Sequence, residues 1–178
     1  MTRTSLTAVL AAVAALVVVL DQVTKSVVRT ALAPPHPPIE VIGSLLRFNY
    51  TLNEGAAFGM LPGHKLVFVS VTAVVLVGIA VYMWRWRPTR LLTVVALGFV
   101  AGGAIGNAID RLTAGRVTDF IQVPFDFPVF NIADSAIVVG VSLLIWWLLF
   151  GPTPVESDEL TDEATLQMPP PDGAAAED

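Results

Sequence analysis

Four stretches of this sequence carry no charged side chain for about as long as a helix needs to cross a bilayer: residues 4–20, 66–84, 91–109 and 135–155. A hydrocarbon core of about 30 Å takes about 20 helical residues at 1.5 Å each. Backbone polar groups in lipid must pair within their own segment, so such stretches can insert only as helices. The pattern predicts four spans, at about 5–27, 66–84, 91–110 and 133–150. The first uncharged run is slightly short, which puts Asp21 at or just inside one interface. A cleaved secretory leader is the rival reading of 4–20, but no small-residue cleavage site follows the apolar run before Asp21, and three more spans come after. Composition agrees with a membrane bundle: 54% of residues are hydrophobic and 14% charged, against about 25% charged in soluble domains. No cysteine is present, which removes disulfides, thiolate metal sites and cysteine nucleophiles together.

The net charge of −5 averages over two unlike parts. Eight of the 15 acidic residues follow Pro154, where no Lys or Arg occurs, so residues 1–154 carry a formal +3. The tail, with Pro169-Pro170-Pro171 and an alanine run, cannot bury enough apolar surface to order itself. The expected division is a four-helix transmembrane unit over 1–154 and a disordered acidic appendage over 155–178. Arg85, Arg87 and Arg90 crowd the connection between the second and third spans, and Arg3 precedes the first. The positive-inside rule places both, and both termini, in the cytoplasm. The connections 29–65 and 110–134 then lie outside. Pro34-Pro35-His36-Pro37-Pro38 reads as a stiff extended segment. It precedes strand-like runs at Ile39–Ile42 and Leu45–Leu52, separated by Gly43-Ser44. These imply a small outer β-layer, and Val123–Pro128 also reads as extended, apolar and membrane-hugging. The expected fold class is an all-α membrane bundle of four transmembrane helices, with a small extracytoplasmic β-layer and a disordered acidic C-terminal tail.

Ionisable groups at membrane depth are costly, so each calls for a reason. Asp21 and Lys25 share a helix face at i, i+4 spacing. Asn107, Asp110 and Arg111 end the third span, Asp119 follows, and Asn131 and Asp134 open the fourth. Under the assigned topology all of them lie at the outer interface. Each alone has a bland reading: Asp21–Lys25 an interfacial ion pair, Asn131 to Asp134 a helix cap, and Gly102-x-x-x-Gly106 a close helix contact. His36 and His64 lack zinc-site spacing, so neither metal nor cofactor is expected. Together the polar groups point to chemistry. Two carboxylates held close cannot both ionise cheaply, so one keeps a proton while the other stays charged. Such a pair can activate water and protonate a departing amide. Asp119 and Asp134 are the preferred pair, with Asp134 favoured as the anion by the start of a helix and Asp119 as the protonated partner. A proton-relaying transporter would spread its acids through membrane depth rather than stack them. A Ser/Lys peptidase would need Lys25 beside Ser26 or Ser135.

The residues at these positions form a recognisable series: Asp21-Gln22-Val23-Thr24-Lys25, Asn53-Glu54-Gly55-Ala56-Ala57-Phe58, Gly106-Asn107-Ala108-Ile109-Asp110-Arg111, Val117-Thr118-Asp119-Phe120 and Phe130-Asn131-Ile132-Ala133-Asp134-Ser135. In this order, over about residues 15–150, the chain resembles the lipoprotein signal peptidases (signal peptidase II), aspartic endopeptidases of the bacterial inner membrane. The resemblance implies cleavage of diacylglyceryl-modified prolipoproteins just before the lipidated cysteine. It implies catalytic aspartates at Asp119 and Asp134, with Asp21, Lys25, Asn53, Gly55, Asn107, Asp110, Arg111, Asn131 and Ala133 supporting them or contacting substrate. It also implies an extracytoplasmic β-cradle over the helices. The expected partners are a lipid-modified prolipoprotein and membrane lipids, with no nucleic acid and a monomeric state. The acidic tail has no counterpart among these motifs.

Overall fold

The computed structural model describes residues 3–43, 45–55 and 63–151. The expected tail at 155–178, Ser44, and Ala56–Phe58 of the second motif lie outside the described residues. In chain order the elements are α1 (Arg3–Ala31), β1 (Ile39–Ile42), β2 (Leu46–Asn53), α2 (Lys65–Arg85), α3 (Leu91–Ala114), β3 (Val117–Gln122) and α4 (Ile132–Phe150). All four helices are long and apolar enough to cross a membrane. Their outward faces are apolar as well: Val74, Leu148 and Phe150 stand exposed. Lipid tails are as apolar as leucine, so burying these side chains between helices would gain little.

Helix association in lipid depends instead on close approach. α3 is the central helix, and its buried residues are mostly Ala and Gly. Gly102 meets α1 so closely that a Cβ there would lie 2.7 Å from the Ala14 carbonyl oxygen and 2.7 Å from the Val17 Cβ. Gly103 and Gly140 serve the α3–α4 contact in the same way. The Gly102-x-x-x-Gly106 pattern is therefore a packing motif. α2 buries no residue and lies at the margin of the bundle.

Two helices outgrow the membrane at the same end. α1 has 29 residues, about 43 Å, and α3 has 24, about 36 Å. They run four residues beyond the expected limits at 27 and 110, and Arg29 and Asp110 bridge there at 2.8 Å. The protruding end of α1 also seats the β-layer. Val28 and Leu32 are buried with Phe120, and Phe48, Tyr50 and Ile132 pack around them. Phe48 and Phe120 meet edge to face with ring centroids 5.9 Å apart.

The sheet has three antiparallel strands in the order β1-β2-β3. Two were expected; the third, β3, was not. Val123–Pro128, expected to be extended, instead turns through Phe125 and Asp126, both in the left-handed region. Pro124 and Pro128 lack the N–H that a ladder needs, and Phe125 ends 95% exposed. The chain regains the sheet only at Phe130, which bridges Ile121. Pro34–Pro38 also departs from an extended run: the His36 N–H bonds back to the Ala33 carbonyl at 3.3 Å, forming a turn that returns the chain from α1 toward β2.

The close approach at Gly102 is testable. Gly102→Val should destabilise the protein in detergent by about 1–3 kcal/mol through overpacking. Gly78→Val, where a Cβ meets nothing within 4 Å, should leave the thermal midpoint nearly unchanged. Equal midpoints for the two variants would contradict the packing described here.

Candidate active site

The site is built on a buried cation. Lys25 is 0% exposed, and its ammonium has three donors to satisfy. Nζ lies 2.8 Å from Asp21 Oδ2 and 3.3 Å from Asp110 Oδ2, and it donates to Asn107 Oδ1 at 3.0 Å. A buried charge of this kind is tolerable only with such partners. The second oxygen of Asp21 accepts the Ala133 N–H at 3.0 Å. That N–H belongs to the first turn of α4, where backbone donors have no partner within the helix. A single carboxylate thus binds α1 to the start of α4. Gly106 leaves room for it, since a Cβ there would stand 2.6 Å from Asp21 Oδ2.

Asn131 precedes α4 and caps it. Its side-chain oxygen accepts the Asp134 N–H at 3.0 Å, and Asp134 Oδ2 accepts the Asn131 N–H at 3.2 Å, closing a reciprocal box. The remaining side-chain nitrogen of Asn131 donates to Asp119 Oδ1 at 2.6 Å and to Asn107 Oδ1 at 3.1 Å. Asn107 in turn donates to Asp134 Oδ1 at 2.7 Å. One asparagine therefore touches both carboxylates, and Asp134 is cap and cavity acid together.

Asp119 arrives from β3. On β2 the register shifts by one residue between Phe48 and Thr51, while β3 advances only from Ile121 to Asp119. This bulge pairs Thr51 with Asp119, so Asn53, two residues on, shares the face of Asp119. Without the extra residue, Leu52 would occupy that face and Asn53 would point away. Asn53 Nδ2 donates to Asp119 Oδ2 at 2.9 Å. Its oxygen accepts the Gly55 N–H at 2.9 Å, and the Gly55 carbonyl accepts from Arg111 Nη2 at 3.2 Å. The Arg111 guanidinium also lies 4.6 Å from the centroid of the Phe68 ring on α2. Among the described residues, hydrogen bonds link Arg111 to Asp119 through Gly55 and Asn53, and its charge also acts on Asp119 directly.

Asp119 is 2% exposed. Burial pushes its carboxyl up to about 6; the Asn53 amide opposes this, the charge of Asp134 adds to it, and Asn131 and Lys25 hold it back. Both aspartates line a cavity of about 530 Å³, together with Asn53, Arg111 and an apolar wall that includes Phe127, Phe130 and Val138. A second cavity, about 660 Å³ between α1, α2 and α3, has no ionisable side chain in its lining. A Ser/Lys arrangement is not formed: Lys25 is enclosed by its acidic partners, and Ser135 Oγ donates to the Asn131 carbonyl at 2.9 Å.

All eleven residues singled out from sequence fall within this one connected network. Side chains that join it and were not singled out include Gln22, Arg29 and Thr118. Gln22 Nε2 lies 3.1 Å from Asp21 Oδ2 and 3.2 Å from Asp110 Oδ1. Arg29 bonds to both Asp110 and Thr118. Arg29 stands four residues beyond Lys25 on the same helical face, a signal available only if the first helix continues past 27.

A membrane-length helix bundle with two carboxylates joined through one asparagine at an apolar cavity is the architecture of an aspartic-type membrane peptidase. The family model for signal peptidase (SPase) II matches residues 13–150, and the chain belongs to that family. It is 43% identical over 135 residues to the lipoprotein signal peptidase of Pelotomaculum thermopropionicum, covering 76% of this chain and 88% of that protein. The lipoprotein signal peptidase of Geobacillus thermodenitrificans is 44% identical over 149 residues, covering 82% and 92%. A bacterial membrane enzyme solved by the in meso method at 2.3 Å superposes with a TM-score of 0.75 at 36% identity, over 81% of this chain and 91% of that one. A second, at 1.9 Å, gives 0.71 at 37% identity, over 79% and 92%.

The causes acting on Asp119 have opposite signs, so they can be separated by following its carboxyl in the folded protein with a site-specific isotope label. Asp134→Asn removes a neighbouring negative charge and should lower the Asp119 pKa below about 6. Asn53→Ala removes a donor to the charged form and should raise it. A shift of either variant in the other direction would contradict this account of the site.

Proposed function

We propose that this chain removes the signal peptide from diacylglyceryl-modified prolipoproteins, cutting before the lipidated cysteine with Asp119 and Asp134 as the catalytic pair. The observation that carries the reading is Asn131, which holds both carboxylates against one apolar-walled cavity. In the proposed reaction Asp134 is the ionised member because it lies at a helix N-terminus; the oxygens of both carboxylates each accept an N–H, so hydrogen bonding does not set the two apart. Asp119 carries the proton, in keeping with its raised pKa. Asp134 takes a proton from water as the water oxygen bonds to the scissile carbonyl carbon, and Asp119 gives its proton to the developing oxyanion. On collapse one hydroxyl proton returns to Asp119, the C–N bond breaks, and Asp134 protonates the departing amine. Both groups end as they began.

The apolar wall of the cavity suits a lipidated segment, so the substrate's own acyl chains and signal helix, held in the bilayer, would set the depth of the scissile bond. Arg85, Arg87 and Arg90 orient the α2–α3 connection and both termini toward the cytoplasm, which leaves the cavity at the outer face of the bacterial membrane. Residues 1–154 form the peptidase unit in this reading and 155–178 an appendage.

The test is a gel-shift assay of a lipid-modified prolipoprotein with purified protein in detergent. The unmutated enzyme should cut it, and Asp119→Asn and Asp134→Asn, verified as folded, should each lose at least about 10³-fold. Cleavage surviving in either variant would remove that residue from the pair. A chain ending at Pro154 should keep kcat within about twofold of the full chain; a large loss would bring the tail into the function.

A further inference from the structure

Arg29 takes no part in the reaction proposed above, yet its guanidinium closes a ring behind the strand that carries Asp119. Nε donates to Thr118 Oγ1 at 2.8 Å, and Nη2 donates to Asp110 Oδ1 at 2.8 Å. The other Asp110 oxygen accepts the Thr118 N–H at 3.0 Å. α1, α3 and β3 therefore meet in a closed circuit of three hydrogen bonds. Successive strand residues face opposite sides, so Thr118 turns into this ring while Asp119 turns toward the cavity. In front, the amides of Asn53 and Asn131 donate to Asp119.

We propose that Arg29 is a positioning residue for Asp119: by gripping Thr118 from behind, it sets the roll of β3 and thus where the Asp119 carboxylate stands relative to the scissile bond. The inference rests on the peptidase reading. A guanidinium suits the task because its planar fork holds two donors at a fixed angle, one on a hydroxyl and one on a carboxylate. A lysine ammonium, a single point on a flexible stem, does not reproduce that fork. A role in overall stability is the competing account. The Arg29 side chain is 37% exposed while that of Asp110 is 1% exposed, so the thermal midpoint has to be read beside the rate to separate the two accounts. Asp110 keeps Lys25 and Gln22 as partners when Arg29 is removed, so no buried carboxylate is left alone.

The experiment compares the full-length enzyme with Arg29→Met, Arg29→Lys, Thr118→Val and the Arg29→Met/Thr118→Val double variant, using a lipid-modified prolipoprotein in detergent. Misplacing a catalytic group by about 1 Å costs on the order of 10²-fold. Arg29→Met should therefore lower kcat by about 10- to 100-fold, with KM within about twofold and the thermal midpoint near wild type. Arg29→Lys should recover part of the loss. Thr118→Val should lose a similar amount, and the double variant little more than either single, since both break one circuit. Hydrogen–deuterium exchange without substrate should speed up across β3 in Arg29→Met and stay unchanged at the start of α4. An unchanged kcat, a loss that tracks the thermal midpoint, additive single effects or unaltered β3 exchange would each overturn the inference. Absence of cleavage by the unmutated enzyme would overturn the peptidase reading and this inference with it, whereas the other failures leave that reading standing.

Discussion

The burial of one lysine ammonium organises this molecule. Lys25 Nζ has its needs met by Asp21, Asp110 and Asn107 together, and removing any of these would leave a buried ammonium with an unsatisfied donor in a medium of low polarity. Two of the three partners come from α3, and Asp21 also holds the start of α4 through Ala133. The ammonium sets the polarity of the amides as well as their position. Because Asn107 gives its oxygen to Lys25, its nitrogen faces Asp134. Because Asn131 gives its oxygen to the α4 cap, its nitrogen faces Asp119. Which way an asparagine points is settled by such a network and not by its shape. Here the network turns N–H donors toward both carboxylates. It thereby holds two carboxyl groups close together in one connected network.

The membrane explains why this cluster stands where it does. Apolar surface gives helices in lipid little reason to associate, so the bundle relies on backbone contact at Gly102, Gly103 and Gly140. Polar side chains can join such a bundle at low cost only near its ends. α1 and α3 continue past the hydrocarbon thickness at one end, and the last turns of both carry the ionisable groups there: Lys25, Arg29, Asp110 and Arg111. The same overhang gives Val28 and Leu32 to the small core under the sheet. Helix length, sheet attachment and site position are therefore one structural fact. A shorter α1 would lose the seat of β3 together with Arg29.

Much of this was legible in the sequence, and the parts that were not share a cause. Four uncharged runs define four helices because lipid permits no other backbone arrangement, and Asp21, Lys25, Asn107, Asp110, Asn131 and Asp134 stand out because charge and amide are rare beside such runs. β3 was missed although Val117–Gln122 is a fair strand by composition. Its partner β2 lies more than sixty residues earlier, and the nearby prolines drew attention to Val123–Pro128 instead. The β2 bulge leaves no mark in the hydrophobic pattern, yet it decides that Asn53 rather than Leu52 faces Asp119. Arg29 was not singled out, because its meaning depends on where Thr118 and Asp110 come to rest. Local chemistry was readable, while relations between distant segments required the fold.

The α4 start shows why structural and catalytic readings of one motif need not compete. Taken alone, Asn131 and Asp134 are a helix cap, and they are one, with both reciprocal bonds formed. The cap uses the Asn131 side-chain oxygen and backbone N–H, and the Asp134 backbone N–H and one of its oxygens. What remains free is a nitrogen on Asn131 and an oxygen on Asp134. These are the atoms that reach Asp119 and Asn107. Because the cap satisfies donors that any helix start must satisfy, the folding of α4 itself holds Asp134 at a fixed offset from the amide that grips Asp119. The start of one membrane-length helix thus brings two carboxylates together with no element devoted to that purpose alone.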